Sequence, residues 1–164
     1  MTHKHLLGSE QLALRDFLIE SWGIEGYPAS YVTDDIMIIT RKFLQLDAVS
    51  PDDLDNLVKI YCPALAEKYG SLMRVKHGMD VRIGGYTPIR GGPEVKLKLE
   101  KLCNSPIGPW ECHIKYETLH PFLDGNGRSG RTLWAWQMRK YNQDPFALPF
   151  LQQFYYQTLK HIGR

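Results

Sequence analysis

Apolar residues recur at helical spacing along most of this chain, and prolines and glycines, not long polar tracts, separate the periodic stretches. Ser9 reads as the cap of a first helix that carries Leu12, Leu14, Phe17 and Leu18 on one side and ends at Gly23 or Gly26. Thr33 caps a second helix, with Ile36, Ile39, Phe43 and Leu46 facing inward. Ser50 and Pro51, followed by Asp53, start a third, in which Leu54, Leu57, Val58 and Tyr61 lie on one face. Pro63 ends or kinks that element, and a shorter helix over 64–69 follows. Pro93 opens a segment in which Val95, Leu99 and Leu102 suit a helix, whereas Val95, Leu97 and Leu99 suit a strand. Pro109 starts a helix with Trp110, Ile114 and Leu119, closed off before Pro121. From Asn126 a proline-free stretch with apolar residues at helical spacing predicts another helix. Asp144 and Pro145 open a last one, with Phe150, Leu151, Phe154, Tyr155 and Leu159 as its buried stripe.

One interval breaks the helical pattern. Between Gly78 and Gly92, short β-favouring pieces alternate with glycine pairs, which predicts a surface hairpin. The pattern as a whole predicts an all-α, mainly helical fold with one small β-hairpin.

Composition narrows the class. At 164 residues and 43% hydrophobic content, the chain is long enough for one well-buried core, so a single domain over 1–164 is expected. A formal charge of +2 provides no broad basic field, so nucleic acid is not expected as a partner. Cys62, Cys103 and Cys112 lack the paired spacing of a zinc or redox motif and read as reduced cytosolic thiols. The N-terminal stretch lacks signal-peptide character and no window approaches a membrane span, so the expected location is cytoplasmic.

The densest chemistry lies in HPFLDGNGRSGR, His120 to Arg131. Gly125 and Gly127 permit a tight turn that lets an anion approach the backbone, and the helix that follows points its free first-turn amides back into the turn. Arg128 and Arg131, three apart, share a face of that helix. Asp124 is a hard oxygen ligand suited to a phosphate-bound magnesium ion, and His120 is the natural general base. A calcium loop is a poor alternative, because the later oxygen ligands are missing and the two arginines intrude.

This segment resembles the signature of Fic-domain proteins, HPFxDGNGRxxR, and fills every fixed position. The resemblance implies transfer of AMP from ATP, with Mg2+, to a Ser, Thr or Tyr hydroxyl of a target protein, with self-modification included. His120 would deprotonate the hydroxyl, Phe122 would anchor the loop and Asp124 would hold magnesium. Gly125, Asn126 and Gly127 would line the anion hole, while Arg128 and Arg131 orient the β and γ phosphates. The phosphotransferase branch, resembling the toxin Doc, typically has a lysine where this chain has Gly127, which favours nucleotidyl transfer. The hairpin around 78–92 resembles the family's target-binding flap, with Val81, Ile83 and Tyr86 as contacts; an ordinary connecting hairpin is the plain alternative.

A second motif concerns regulation. SWGIEG, Ser21 to Gly26, matches the inhibitory pattern [S/T]xxxE[G/N] of Fic proteins and resembles the subclass with an N-terminal inhibitory helix. There the glutamate pairs with the second signature arginine, here Glu25 with Arg131, and in some relatives it also helps to remove AMP. By itself the hexad also reads as a helix end with Gly26 as its C-cap. Two other functions stay open: transfer of another nucleotide or phosphate-containing group, and a nucleotide-binding regulatory module without turnover.

Overall fold

A computed structural model describes residues 3–149, 151 and 153 of the chain. Prolines and cap residues set most of the helix starts. Thr33 Oγ1 accepts the Ile36 amide at 3.4 Å and opens α2, Asp34–Leu44. Ser50 and Asp53 form a reciprocal capping box, with bonds of 3.2 and 2.9 Å, at the head of α3, Pro51–Tyr61. Proline occupies the first position of α3, of α4 (Pro63–Tyr69), of α5 (Pro93–Cys103) and of α6 (Pro109–Leu119). The segment at Pro93 is thus a helix, with Val95 and Leu99 buried and Leu97 exposed, which excludes the strand alternative.

The first helix, α1 (His3–Ile24), differs from expectation at its start. It runs through Gly8 and Ser9 without a break, so Ser9 is an interior residue and not a cap. Its end does fall at the expected glycines. Tyr27 N donates to Trp22 O and Gly26 N to Gly23 O, both at 3.0 Å, with Gly26 at φ 83°, which is a Schellman closure. Glu25 is the residue at the cap.

The helix α7, Asn126–Lys140, runs through the middle of the molecule. Eleven of its fifteen residues are buried, and it packs on α6, α2, α3 and α1. A helix enclosed on every side needs buried polar groups to be paired. Tyr61 OH links Thr40 Oγ1 (2.7 Å) to Thr132 Oγ1 (2.9 Å), and Tyr116 OH meets Ser129 Oγ at 2.7 Å. Gly130 lets α6 come close: a Cβ there would stand 2.9 Å from the Tyr116 ring and 2.7 Å from Glu117 Oε1.

Among the described residues there is no strand, and the predicted hairpin is corrected accordingly. Only Ile83 and Tyr86 exchange backbone bonds, both 2.9 Å, across Gly84 and Gly85. Val81 is outside this pair, so the alternation is too short to build a ladder. The rest of the interval is pinned individually, with Arg74 Nη1 donating to Met79 O and Ile89 O and Gly91 N to Asp80 Oδ1. Nor does a helix begin at Asp144 and Pro145. The Asp144 carboxylate accepts the Phe146 amide at 2.8 Å and holds a turn there, while Leu151, in helical conformation, is exposed. Phe150, Phe154, Tyr155 and Leu159 of the expected stripe lie outside the described residues.

Candidate active site

The signature loop is built between the end of α6 and the start of α7. His120 closes α6 in the left-handed region, φ 49° and ψ 63°, a strained position for a residue with a side chain. Arg74, wholly buried, holds it there. Its Nε donates to His120 O at 2.7 Å and its Nη2 to Leu119 O at 3.1 Å, capping the orphan carbonyls of α6. The backbone around Arg74 braces the loop as well: Arg74 N donates to Pro121 O and Leu123 N to Leu72 O, each at 2.9 Å. Asp55 Oδ1 in turn anchors that brace by accepting Ser71 Oγ and Leu72 N.

Within the loop, Asn126 and Phe122 lock each other. The Asn126 side chain accepts Phe122 N at 2.9 Å and donates to Phe122 O at 2.8 Å, with the Phe122 ring fully buried. The carboxamide of Asn126 is thereby committed to the loop, leaving its backbone to face any anion. Gly125 takes φ 78° at the head of α7, and Asp124 Oδ1 accepts its amide at 2.6 Å. Asp124 is otherwise open, its side chain 46% exposed and 3.4 Å from Arg128 Nη2.

The two arginines are both buried yet have different surroundings. Arg128 Nη1 donates to Tyr61 O at 3.1 Å and Nη2 to Cys62 Sγ at 3.3 Å, with the Tyr27 ring 4.9 Å from the guanidinium carbon. Its Nε is buried without a hydrogen-bond partner among the described residues. Arg131 instead reaches back to the end of α1. It donates to Ser21 Oγ (2.7 Å), Ser21 O (2.8 Å) and Glu25 Oε1 (2.6 Å). The Glu25 carboxylate lies over the helix start itself, because a Cβ on Gly127 would fall on Glu25 Oε1 and 3.1 Å from Arg131 Nη1.

Burial tunes the titratable groups. It lowers the His120 pKa, the nearby Arg74 charge acting the same way, so the imidazole stays neutral below the usual histidine range. The buried Nδ1 of His120 has no hydrogen-bond partner among the described residues. Burial pushes the Cys62 thiol up to about 11, which makes it an inert neighbour of Arg128.

His120, Phe122, Asp124, Gly125, Asn126, Gly127, Arg128 and Arg131 thus surround one bend, with Ser21, Glu25 and Gly26 brought to it by α1. Ile83 and Tyr86 line a hollow that also includes His120, whereas Val81 is not among its lining residues. Three contributors were missed in the sequence. Arg74 stands between Leu72, Met73 and Val75 with nothing local to mark it. Glu117 and His113, on the last turns of α6, were detectable from their four-residue spacing and their distance from His120.

The sequence model of the Fic/DOC family matches residues 53–138, more than half of the chain. The chain belongs to this family. The match spans α3 through most of α7, with Arg74 and the whole signature inside it and Ser21–Gly26 before it. No curated protein matches the chain. Fic/DOC proteins are mainly helical transferases known for AMPylation and related nucleotide transfer to protein targets, usually with Mg2+. Among the described residues no helix is long and apolar enough to cross a membrane.

Proposed function

We propose that this Fic/DOC protein is a protein adenylyltransferase, using ATP, that Glu25 holds at rest. The supporting observation is the convergence around one bend of a neutral imidazole, an open carboxylate, a helix start and two buried guanidiniums.

His120 takes the proton from the target hydroxyl as its oxygen bonds to the α-phosphorus of ATP. The bond from that phosphorus to the bridging β-oxygen breaks, and pyrophosphate leaves. The amides at the start of α7 and the side chains of Arg128 and Arg131 offset the charge that accumulates on the phosphate oxygens. The buried Nε of Arg128 is a donor still to be used. Asp124, a partly exposed carboxylate, fits a magnesium ion, which would complete its shell with phosphate and water and neutralise phosphate charge. Glu25 competes with this chemistry. While its carboxylate lies over Gly127 and on Arg131, the terminal phosphates lack both their cradle and one guanidinium. In the reverse reaction the same carboxylate would steer a water toward an AMP-modified hydroxyl.

The deciding experiment incubates the Glu25→Gly chain with labelled ATP and candidate targets, following labelled protein, its own included, by intact mass. Labelling by Glu25→Gly and none by Glu25→Gly with His120→Ala is the expected result. Labelling only from GTP, UTP or a diphosphate-linked donor would replace AMP by another group. ATP binding by calorimetry without released pyrophosphate would leave a regulatory nucleotide-binding module.

A further inference from the structure

Beside His120, the Ile83–Tyr86 turn and one face of α6 enclose a hollow of about 410 Å³, lined in part by Trp110, His113, Ile114 and Glu117. Its walls are apolar and its charge is one-sided. Burial keeps His113 neutral, with its pKa pushed down to about 4, and lowers that of His120. Glu117 is the one carboxylate among the lining residues.

The setting of Glu117 leaves that carboxylate undersatisfied. Oε1 is buried against the Gly130 position with no hydrogen-bond partner among the described residues, while the side chain as a whole is 34% exposed. Three charged or titratable groups act on it. His113 Nε2 of α6 is 3.8 Å away, Arg131 of α7 attracts it, and Glu25 at the end of α1 repels it. Arg131 is already engaged by Ser21 and Glu25, so its charge is largely spent elsewhere. With desolvation dominant, the carboxyl is lifted to about 7, a group poised to ionise when a cation arrives.

We infer that this hollow receives a lysine or arginine side chain of the target, near the acceptor hydroxyl in sequence, with Glu117 as its counter-charge. The aliphatic stem lies along Ile83 and Ile114, and the cation passes the Trp110 ring, itself stacked on His113 at 5.6 Å, to reach Glu117. An acidic side chain in the same place would meet Glu117 as a like charge. The inference rests on the transferase reading for placing the acceptor at His120.

The test uses the unaltered full chain for binding, the Glu25→Gly chain for label transfer only, and three fluorescent peptides, each with one tyrosine and one serine, that differ only at a neighbouring lysine, norleucine or glutamate. Anisotropy without nucleotide reads binding. The lysine peptide is expected to bind about tenfold more tightly than the norleucine peptide, with the glutamate peptide weakest. That preference should grow between about pH 6 and pH 8 as Glu117 ionises, vanish in Glu117→Gln and reverse in Glu117→Lys. Equal binding of the three peptides, no measurable binding, or a lysine preference that survives Glu117→Gln would overturn the inference. If the variants fail to fold, the pH dependence of the parent chain decides. Lysine-selective binding without label transfer would sink the transferase reading alone, and transfer without lysine preference would sink this inference alone.

Discussion

Glu25 and Arg131, 106 positions apart, meet at 2.6 Å over the first turn of α7. The Schellman closure of α1 sets the position of Glu25, and two further bonds from Arg131 to Ser21 fasten the same helix end. The contact therefore couples the seating of α1 to the accessibility of Gly127 and Arg131.

Glu25→Gln removes the competing charge and keeps the side-chain volume. ATP and pyrophosphate should each bind about tenfold more tightly, and AMP, which lacks the terminal phosphates, should change much less, as calorimetry would show. Because Glu25 is 37% exposed and Ser21 still holds Arg131, stability should fall by no more than about 1 kcal/mol.

Arg74 donates to four carbonyls, those of Met79, Ile89, Leu119 and His120. Arg74→Ala strands them, two at the C-terminus of α6, and should cost about 3 kcal/mol or more in urea unfolding while abolishing transfer. Arg74→Lys should recover little of either, because an ammonium cannot span that forked set of acceptors.

Gly130→Ala opposes two effects. Helix propensity favours alanine by up to about 1 kcal/mol, but the added methyl would stand 2.9 Å from the Tyr116 ring in a packed interface. Packing should prevail, with a net loss of about 1–3 kcal/mol. A thermal melt above that of the parent chain would show that α6 can shift aside.

The buried carboxyl of Glu117 gives stability a definite pH dependence. Its pKa rises from 4.5 to about 7 on folding, so its contribution is fully present below 4.5 and is lost as pH rises through about 7. Glu117→Gln should therefore gain on the parent chain across that window. His113 acts in the opposite sense: with its pKa lowered from 6.5 to about 4, the fold loses stability as pH falls through that range. Melts of the parent, Glu117→Gln and His113→Gln chains at stepped pH would separate the two.

What local sequence determined is what local physics enforces. Thr33, Ser50 with Asp53, and the prolines at 51, 93 and 109 satisfy or tolerate the unpaired amides of a helix start, so those starts lie where the chain alone places them. The signature was readable as a family pattern whose residues the fold gathers at one bend, and the hexad at Ser21–Gly26 pointed to Glu25 through the same resemblance, while the contact of Glu25 with Arg131 comes from the fold. Tertiary structure decided the rest. Ser9 could equally cap a helix or lie inside one, and the chain on its N-terminal side settles which. The β-favouring pieces around Ile83 and Tyr86 form a single bridged pair, because Arg74 fastens the interval from outside, Asp80 ties Gly91 within it, and no partner strand adjoins it among the described residues. Arg128 and Arg131 share a helix face yet serve different neighbours, and Arg74 supports His120 from 46 positions away. A buried guanidinium is defined by the carbonyls gathered around it, and those assemble only when distant segments pack.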